Sequence, residues 1–307
     1  MPLKNIPLVL LALLSISSTV FAALPQEVIV YGDSLSDNGN LYRASGNTAP
    51  PSPPYYDGRR SNGPVAVEQL ASSLNVPLID YAWIGATTGI GNYADGGTVT
   101  SVGTYGLPGM TATYAATSGA ITPYLSTALF VVWGGPNDFL APSPNDTSTA
   151  ATILRALNNE LTIIQELKGR GARTILAPGM PDLGLTPYFQ SLGPIAAAGG
   201  TAITNAFNSA LQAELPPGVI YYDTAALLRA VIADPTAYGF LNATDYYLHV
   251  STGNPNDYVF YDDFHPTTAT HALIAREFLE ATAVPEPSTL IIVGSGFALL
   301  LFRRKRQ

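Results

Sequence analysis

Short apolar runs and longer amphipathic stretches alternate along the chain. Apolar runs of strand length occupy residues 28–30, 76–81, 128–133, 174–177 and 218–222. Apolar residues recur at helical spacing in residues 64–74, 149–170, 195–214, 225–232 and 271–281. Because strands that alternate with helices form parallel sheets covered on both faces, the pattern predicts an α/β fold. We expect a three-layer α/β/α sandwich around a central parallel sheet of about five strands.

Two local features refine this prediction. Pro64 stands where the first amphipathic stretch begins, and proline is favourable in the first turn of a helix. Residues 85–118 are rich in Gly, Thr and Ser, and their apolar residues follow neither the spacing of a helix nor that of a strand. Structureless segments of this length are uncommon in compact domains and are usually functional or disordered. We therefore expect residues 85–118 to form an irregular wall or lid over a site.

Both ends of the chain have the composition of targeting segments. Residues 1–22 contain Lys4, an apolar core and a small-residue end of the A-x-A type, which predicts a secretory signal peptide. Residues 284–307 begin with VPEPS, continue with an apolar run at 289–302 and end in RRKR. That run is short for a bilayer, which needs ~20 residues. Residues 23–283 remain, and their length suits one α/β domain.

The order of features in residues 284–307 resembles the PEP-CTERM sorting signal of Gram-negative bacteria. The resemblance implies export across the inner membrane and transient membrane insertion through the C-terminal segment. It also implies cleavage by an exosortase and delivery to the cell surface, its matrix or the medium. The basic cluster predicts that this end stays cytoplasmic, so a plain tail anchor is the alternative.

Charge and cysteine content exclude several functions. The whole chain has a formal net charge of −8, and without the two terminal segments this becomes −12, because they hold five basic residues and one acidic residue. Such an acidic body does not favour nucleic acid as a partner. The chain has no cysteine, which excludes thiol catalysis and cysteine-based metal sites.

Polar residues suited to acyl transfer stand in four short stretches, three of them directly after an apolar run. The stretches are residues 33–34, 85–86, 135–138 and 262–265. A serine hydroxyl such as that of Ser34 needs a base to take its proton, and a histidine serves near neutral pH. The histidine needs an acceptor on its other ring nitrogen, and Asp262 stands three residues before His265. Asp263 is the alternative acceptor, and Asn137 and Asp138 could instead cap a helix or turn.

The order Ser, Asp, His occurs without any G-x-S-x-G elbow. The chain resembles the GDSL, or SGNH, esterase/lipase family in four blocks that span residues 31–267. The blocks read GDSLSDNGN at 32–40, YAWIGAT at 81–87, GPND at 135–138 and DDFHPT at 262–267. The resemblance implies the flavodoxin-like fold of SGNH hydrolases and a secreted serine esterase or lipase that works through an acyl-enzyme without a cofactor.

The same resemblance implies the roles of five residues. Ser34 is the expected nucleophile, His265 the base and Asp262 its orienting partner. The backbone N–H groups of Ser34 and Gly85 and the side-chain amide of Asn137 are the expected oxyanion hole. Removing one donor of this kind typically lowers turnover ~10²–10³-fold.

The substrate is less defined than the chemistry. Residues 60–63, RSNG, resemble a segment of the lipase-like branch of the family, which favours acyl esters and lipids. One alternative is an acetylesterase that acts on extracellular polysaccharide, and another is a non-catalytic surface or matrix protein with the same fold. His249 and His271 lack metal-ligand spacing, so we expect no metal site.

Overall fold

The computed structural model describes residues 24–283. The predicted signal peptide at 1–22 and the predicted sorting signal at 284–307, including its short apolar run, lie outside the described residues. Within residues 24–283, no helix combines the length and the apolar character needed to cross a membrane.

A five-stranded parallel sheet lies at the centre of the described region. Its strands are β1 (Glu27–Gly32), β2 (Leu78–Asp80), β3 (Ala128–Trp133), β4 (Thr174–Pro178) and β5 (Ile220–Tyr222). The order across the sheet is β2-β1-β3-β4-β5, and every pairing is parallel. This is the flavodoxin-like order of doubly wound sheets, so the predicted fold class is confirmed.

Helices cover both faces of the sheet. The α-helices of residues 24–283 are α1 (Asn40–Ala44), α2 (Ala66–Leu74), α3 (Met110–Thr117), α4 (Pro136–Leu140), α5 (Thr149–Gly169), α6 (Pro187–Ser191), α7 (Pro194–Glu214), α8 (Thr224–Ala233), α9 (Tyr247–Val250) and α10 (Thr268–Thr282). Helices α3, α5 and α7 pack on one face, together with Ile29 and Tyr31 of β1. Helices α2 and α10 pack on the other, with Val28 and Val30. Alternate side chains of β1 therefore enter two cores, which is why residues 28–31 are apolar without a break.

The strand order places a crevice beside β1. The chain proceeds from β1 to β2 on one side and later returns to β3 on the other, so connections leave in opposite directions at this point. Ligands of open α/β sheets bind outside the carboxyl ends of strands at such a switch point. Ser34 follows β1 and Asn137 follows β3, so both predicted site residues lie at this edge of the sheet.

Three local predictions were wrong or incomplete. Residues 110–117 of the Gly-rich segment form α3, which the sequence hid because its Thr and Ala residues give no apolar stripe. A second, two-stranded parallel sheet of β6 (Asn242–Tyr246) and β7 (Tyr258–Phe260) was missed because β6 reads NATDY. Pro64 precedes α2 rather than lying in its first turn. The Glu68 side chain accepts the Val65 N–H at 2.9 Å and fixes Val65 as the N-cap.

Candidate active site

Ser34 lies in a tight turn directly after β1. The turn requires glycine at position 32, because a Cβ there would lie 2.8 Å from the carbonyl oxygen of Trp133 on the neighbouring strand. Asp33 Oδ1 accepts the Leu35 N–H at 3.0 Å and closes the turn from within. Ser34 is thereby held at the strand edge with 9% of its surface exposed.

Asp262 and His265 share one loop between β7 and α10. The amides of Phe264 and His265 donate to Asp262 Oδ1 at 2.9 and 2.7 Å, so the carboxylate folds back over its own loop. His265 Nδ1 lies 2.7 Å from the same oxygen. The three-residue spacing thus brings aspartate and imidazole together by local geometry. The opposite ring nitrogen, Nε2, lies 2.8 Å from Ser34 Oγ, although the two residues are 231 positions apart.

The electrostatics of the loop keep Asp262 ionised. Burial acts to raise its pKa, but the charge and hydrogen bond of His265, the Tyr55 hydroxyl and the Phe264 amide outweigh burial. The pKa of Asp262 therefore lies well below its ordinary range. A carboxylate that stays charged accepts the Nδ1 hydrogen of the imidazole and leaves Nε2 free to take a proton.

Gly85 and Asn137 stand on the other side of Ser34. Gly85 has φ +79°, and a Cβ there would overlap Asn92 Oδ1, so glycine is required by both conformation and space. Asn137 Nδ2 donates to the Ala86 carbonyl at 2.9 Å and lies 3.5 Å from Asp33 Oδ2. Within residues 24–283, the amide hydrogens of Ser34 and Gly85 have no protein acceptor. Three N–H donors are therefore available near the serine.

The structure separates the alternatives that the sequence left open. Neither Asn137 nor Asp138 caps α4, whose N-cap is Gly135; both lie inside the helix. Asp138 is fully buried and accepts the amide and hydroxyl of Thr88 at 2.8 and 2.6 Å. Asp262, and not Asp263, contacts the His265 ring.

The two other histidines lie apart from Ser34. His271 is buried in α10, where its Nδ1 accepts the Ala66 N–H at 3.2 Å, and burial lowers the pKa of His271 to about 3. His249 is exposed and pairs with Asp245 at 2.9 Å. Among residues 24–283, no group of three or more His, Asp or Glu side chains could hold a metal ion.

One cavity of about 520 Å³ contains all five predicted site residues in its wall. Its volume is in the range of small-molecule sites. The rest of the wall is mostly apolar and comes from β3, α4, α6, α8, β7, α10 and the loops between elements, including Tyr55 and Arg60. It includes Trp133, Phe139, Leu183, Phe189, Leu228, Val231 and Phe260. The site therefore joins a polar edge at Ser34 to a large apolar space.

Sequence reasoning missed two residues beside Asp262. Tyr55 lies in the connection between α1 and α2, residues 45–65, which we call the Pro-rich loop, and it donates its hydroxyl to Asp262 Oδ2 at 2.7 Å. Arg60 in turn donates to the Tyr55 oxygen at 3.1 Å. Tyr55 and Asp262 are 207 positions apart, and the loop has no periodicity, so no sequence signal could have paired them.

Comparison with known proteins agrees with these observations. The chain is 28% identical over 281 residues to the thermolabile hemolysin of Vibrio parahaemolyticus, covering 83% of this chain and 63% of the relative. It is 30% identical over 227 residues to the phosphatidylcholine-sterol acyltransferase of Aeromonas hydrophila, covering 69% of this chain and 62% of the relative. The chain thus spans under two thirds of the length of both. Among solved structures, an acetyl xylan esterase covers 84% of this chain and 100% of its own, with 11% identity and a TM-score of 0.47.

Family models match two parts of the chain. The PEP-CTERM protein-sorting motif matches residues 283–306, in agreement with the sequence pattern of the C-terminus. The model for GDSL-like lipases and acylhydrolases matches residues 28–278, which include all four blocks and nearly the whole described region. The chain belongs to the GDSL-like lipase/acylhydrolase family.

Proposed function

We propose that this protein is a serine hydrolase of carboxylic esters, with Ser34 as nucleophile, His265 as general base and Asp262 as the orienting carboxylate. One observation carries the proposal. A continuous chain of hydrogen bonds runs from Ser34 Oγ to His265 Nε2 at 2.8 Å and from Nδ1 to Asp262 at 2.7 Å. Its serine end opens on the cavity, where an ester carbonyl can approach.

The proposed reaction has two halves. Ser34 Oγ attacks the ester carbonyl carbon while His265 Nε2 takes the hydroxyl proton, and that proton passes to the leaving alcohol as its C–O bond breaks. The acyl group then remains on Ser34. Water attacks this acyl group while His265 takes one of its protons, and that proton passes to Ser34 Oγ as the bond to the acyl carbon breaks and the carboxylic acid leaves. Asp262 stays ionised throughout and stabilises the imidazolium, which agrees with its lowered pKa.

The negative oxygen of the tetrahedral intermediate needs donors that are already in place. The amides of Ser34 and Gly85 and one hydrogen of Asn137 Nδ2 fill this role in our proposal. The Ala86 carbonyl holds the other Asn137 hydrogen at 2.9 Å and thereby fixes the amide plane. The 3.5 Å contact with Asp33 is too long to compete strongly for the remaining hydrogen.

The cavity favours esters with an extended acyl chain. A polysaccharide acetylesterase needs a polar, open cleft for sugar rings, whereas this wall is mostly apolar and encloses about 520 Å³. An acetyl group would leave most of that space empty. The name of the Aeromonas relative, a phosphatidylcholine-sterol acyltransferase, supports lipid acyl esters as the substrate class.

The sorting motif adds a location to the proposal. A match to the PEP-CTERM motif at residues 283–306 supports export in a Gram-negative bacterium and delivery to the cell surface. We include cleavage by an exosortase and transient insertion of the C-terminal segment in the proposal. An esterase so placed would meet extracellular lipids or acylated matrix polymers.

Hydrolysis of p-nitrophenyl esters from acetate to palmitate by the full chain tests the substrate class. Each methylene moved from water onto apolar surface contributes ~0.8 kcal/mol, so kcat/KM should rise about fourfold per methylene until the cavity is full. An optimum at acetate would contradict the acyl-chain proposal and favour the acetylesterase. No hydrolysis of any ester, with intact folding, would favour a non-catalytic protein.

A further inference from the structure

Tyr55 is a second side-chain partner of the Asp262 carboxylate, in addition to His265. It lies in the Pro-rich loop that precedes α2 and is 9% exposed. Its hydroxyl is 2.7 Å from Asp262 Oδ2, while His265 Nδ1 lies 2.7 Å from Oδ1 and 2.9 Å from Oδ2. Both carboxylate oxygens are therefore engaged, and the Asp262 carboxylate has little freedom to rotate away from the imidazole.

Arg60 fixes the direction of this hydrogen bond. A guanidinium can only donate, so the Tyr55 oxygen must accept the Arg60 N–H at 3.1 Å. The guanidinium also lies 5.0 Å from the centre of the Tyr55 ring. With its oxygen occupied by Arg60, Tyr55 has one remaining hydrogen, and Asp262 is the acceptor within reach. Burial and then the charge of Asp262 raise the pKa of Tyr55 far above its ordinary value, so the hydroxyl keeps this hydrogen.

We propose that Tyr55 is a positioning residue for the reaction: oriented by Arg60, it holds the Asp262 carboxylate in the plane that His265 needs. The inference rests on the proposed function, because it gives Tyr55 a role only if Asp262 and His265 act on Ser34. It extends the hydrogen-bonded chain from three groups to five, in the order Arg60, Tyr55, Asp262, His265, Ser34. The Pro-rich loop thereby becomes part of the active site without contacting the reacting atoms.

Tyr55→Phe tests the role with little disturbance of packing. The ring keeps its contacts with Arg60 and with Tyr261, whose ring centre lies 5.7 Å away. We expect kcat to fall about tenfold with KM nearly unchanged, since one hydrogen bond to a charged group is worth about that factor. A carboxylate that loses one donor keeps more of its negative charge toward the imidazole ring. The acid limb of kcat/KM should therefore move upward by about half a pH unit.

Several charged or titratable groups also face Asp262 and His265, and they remain the same in parent and variant. They are Arg60 on the Pro-rich loop, Asp33 after β1, Tyr246 of β6, Tyr261 and Asp263 on the loop between β7 and α10, and His271 of α10. A shift between the two profiles therefore reports the Tyr55 hydroxyl alone.

Tyr261→Phe is the matched control. It removes an equivalent hydroxyl from the same pair of loops, where Tyr261 donates to the Pro54 carbonyl at 2.5 Å. This hydroxyl holds the Pro-rich loop but does not contact Asp262. We expect the Tyr261→Phe acid limb to coincide with that of the parent, even if stability falls.

A second comparison separates action through Asp262 from direct contact with substrate. In an Asp262→Ala background, Tyr55→Phe should have no further effect on kcat, because the group that it positions is gone. An additive tenfold loss there would overturn the inference. If Tyr55→Phe does not fold, Arg60→Met is the second variant. It leaves the Tyr55 ring in place but removes the N–H that donates to the Tyr55 oxygen, and it should shift the acid limb of kcat/KM in the same direction.

The outcomes distinguish the two proposals. An active parent, an inactive Ser34→Ala variant and a Tyr55→Phe profile identical to the parent would overturn the positioning role and leave the proposed function intact. Full activity in Ser34→Ala would overturn both. The expected result is an inactive Ser34→Ala, a shifted and slower Tyr55→Phe, and an unshifted Tyr261→Phe.

Discussion

Glu160 is a fully buried carboxyl near Asp33 and Asp138, and we predict that it makes the fold less stable as pH rises. It lies on α5, is 0% exposed, and neither of its oxygens has a hydrogen-bond partner among the described residues. Burial, followed by the charges of Asp138 and Asp33, raises the pKa of Glu160 well above its ordinary value. The folded protein therefore holds a proton on Glu160 after the unfolded chain has released it.

The sign and size of the effect follow from proton binding. An unfolded glutamate titrates near pH ~4.3, and above this the folded state binds one proton more than the unfolded state. The free energy of unfolding then falls by about 1.4 kcal/mol per pH unit, for as long as Glu160 keeps its proton in the fold. Below pH ~4 both states are protonated and the contribution vanishes.

Neighbouring groups change the absolute curve but not the comparison of variants. Burial raises the pKa of Asp33 to about 6 and that of Asp138 to about 7, so both add to the loss of stability with rising pH. His271, with a pKa lowered to about 3 by burial, acts in the opposite direction below its ordinary pKa. Because these groups are present in parent and variant alike, their contributions cancel in the difference.

Urea unfolding of the parent and of Glu160→Gln at pH 4, 5, 6 and 7 measures that difference. Glutamine keeps the shape and cannot ionise, so the two proteins should be about equally stable at pH 4. Above pH 5 the variant should gain up to about 1.4 kcal/mol over the parent per pH unit, for as long as the folded parent keeps Glu160 protonated. Glu166→Gln, at an exposed position on the same helix, is the control and should run parallel to the parent. Parallel curves for Glu160→Gln would refute a buried neutral carboxyl.

Three further predictions concern the site itself. Asn137→Ala should lower kcat by ~10²–10³ with little change in KM, measured on the preferred ester, and an unchanged kcat would remove Asn137 from the oxyanion hole. Gly85→Ala should lower the free energy of unfolding by about 1–3 kcal/mol in urea, because φ is +79° and the new Cβ would overlap Asn92; equal stability would contradict this conformation. Val231→Phe, at a buried position in the cavity wall, should lower kcat/KM for palmitate more than for butyrate; equal losses would place the acyl chain elsewhere.

The sheet and its principal helices could be predicted because burial on both faces leaves a clear mark on sequence. β3 was predicted with the bounds that the structure shows, since all six of its residues are buried. The small sheet was not, because β6 is only partly covered and its polar residues form short-range hydrogen bonds, such as that from the Asp245 N–H to Asn242 Oδ1. Helix α3 buries Met110, Thr113 and Tyr114 on one face, but its Thr and Ala residues give too little contrast in polarity between the faces to mark a helix.

The site could be predicted to the extent that it is local. Asp262 and His265 were paired by their spacing, and the structure brings them together at 2.7 Å. Tyr55 reaches Asp262 only because the Pro-rich loop packs on the histidine loop, a contact between segments 207 positions apart. The apolar cavity was equally invisible, because its wall gathers residues from six elements and from loops that are distant in sequence. The parts of the site that could not be predicted depend on packing between segments that are distant in sequence.

Covalent labelling of the full-length protein with a fluorophosphonate probe tests the central claim most directly. The serine oxygen bonds to phosphorus as fluoride leaves, so mass spectrometry of the digest identifies the nucleophile. We predict one labelled peptide that carries the probe on Ser34, loss of both label and ester hydrolysis in Ser34→Ala, and labelling slowed at least ~10³-fold in His265→Ala. Label on another residue, or hydrolysis that persists in Ser34→Ala, would contradict the proposed catalytic mechanism.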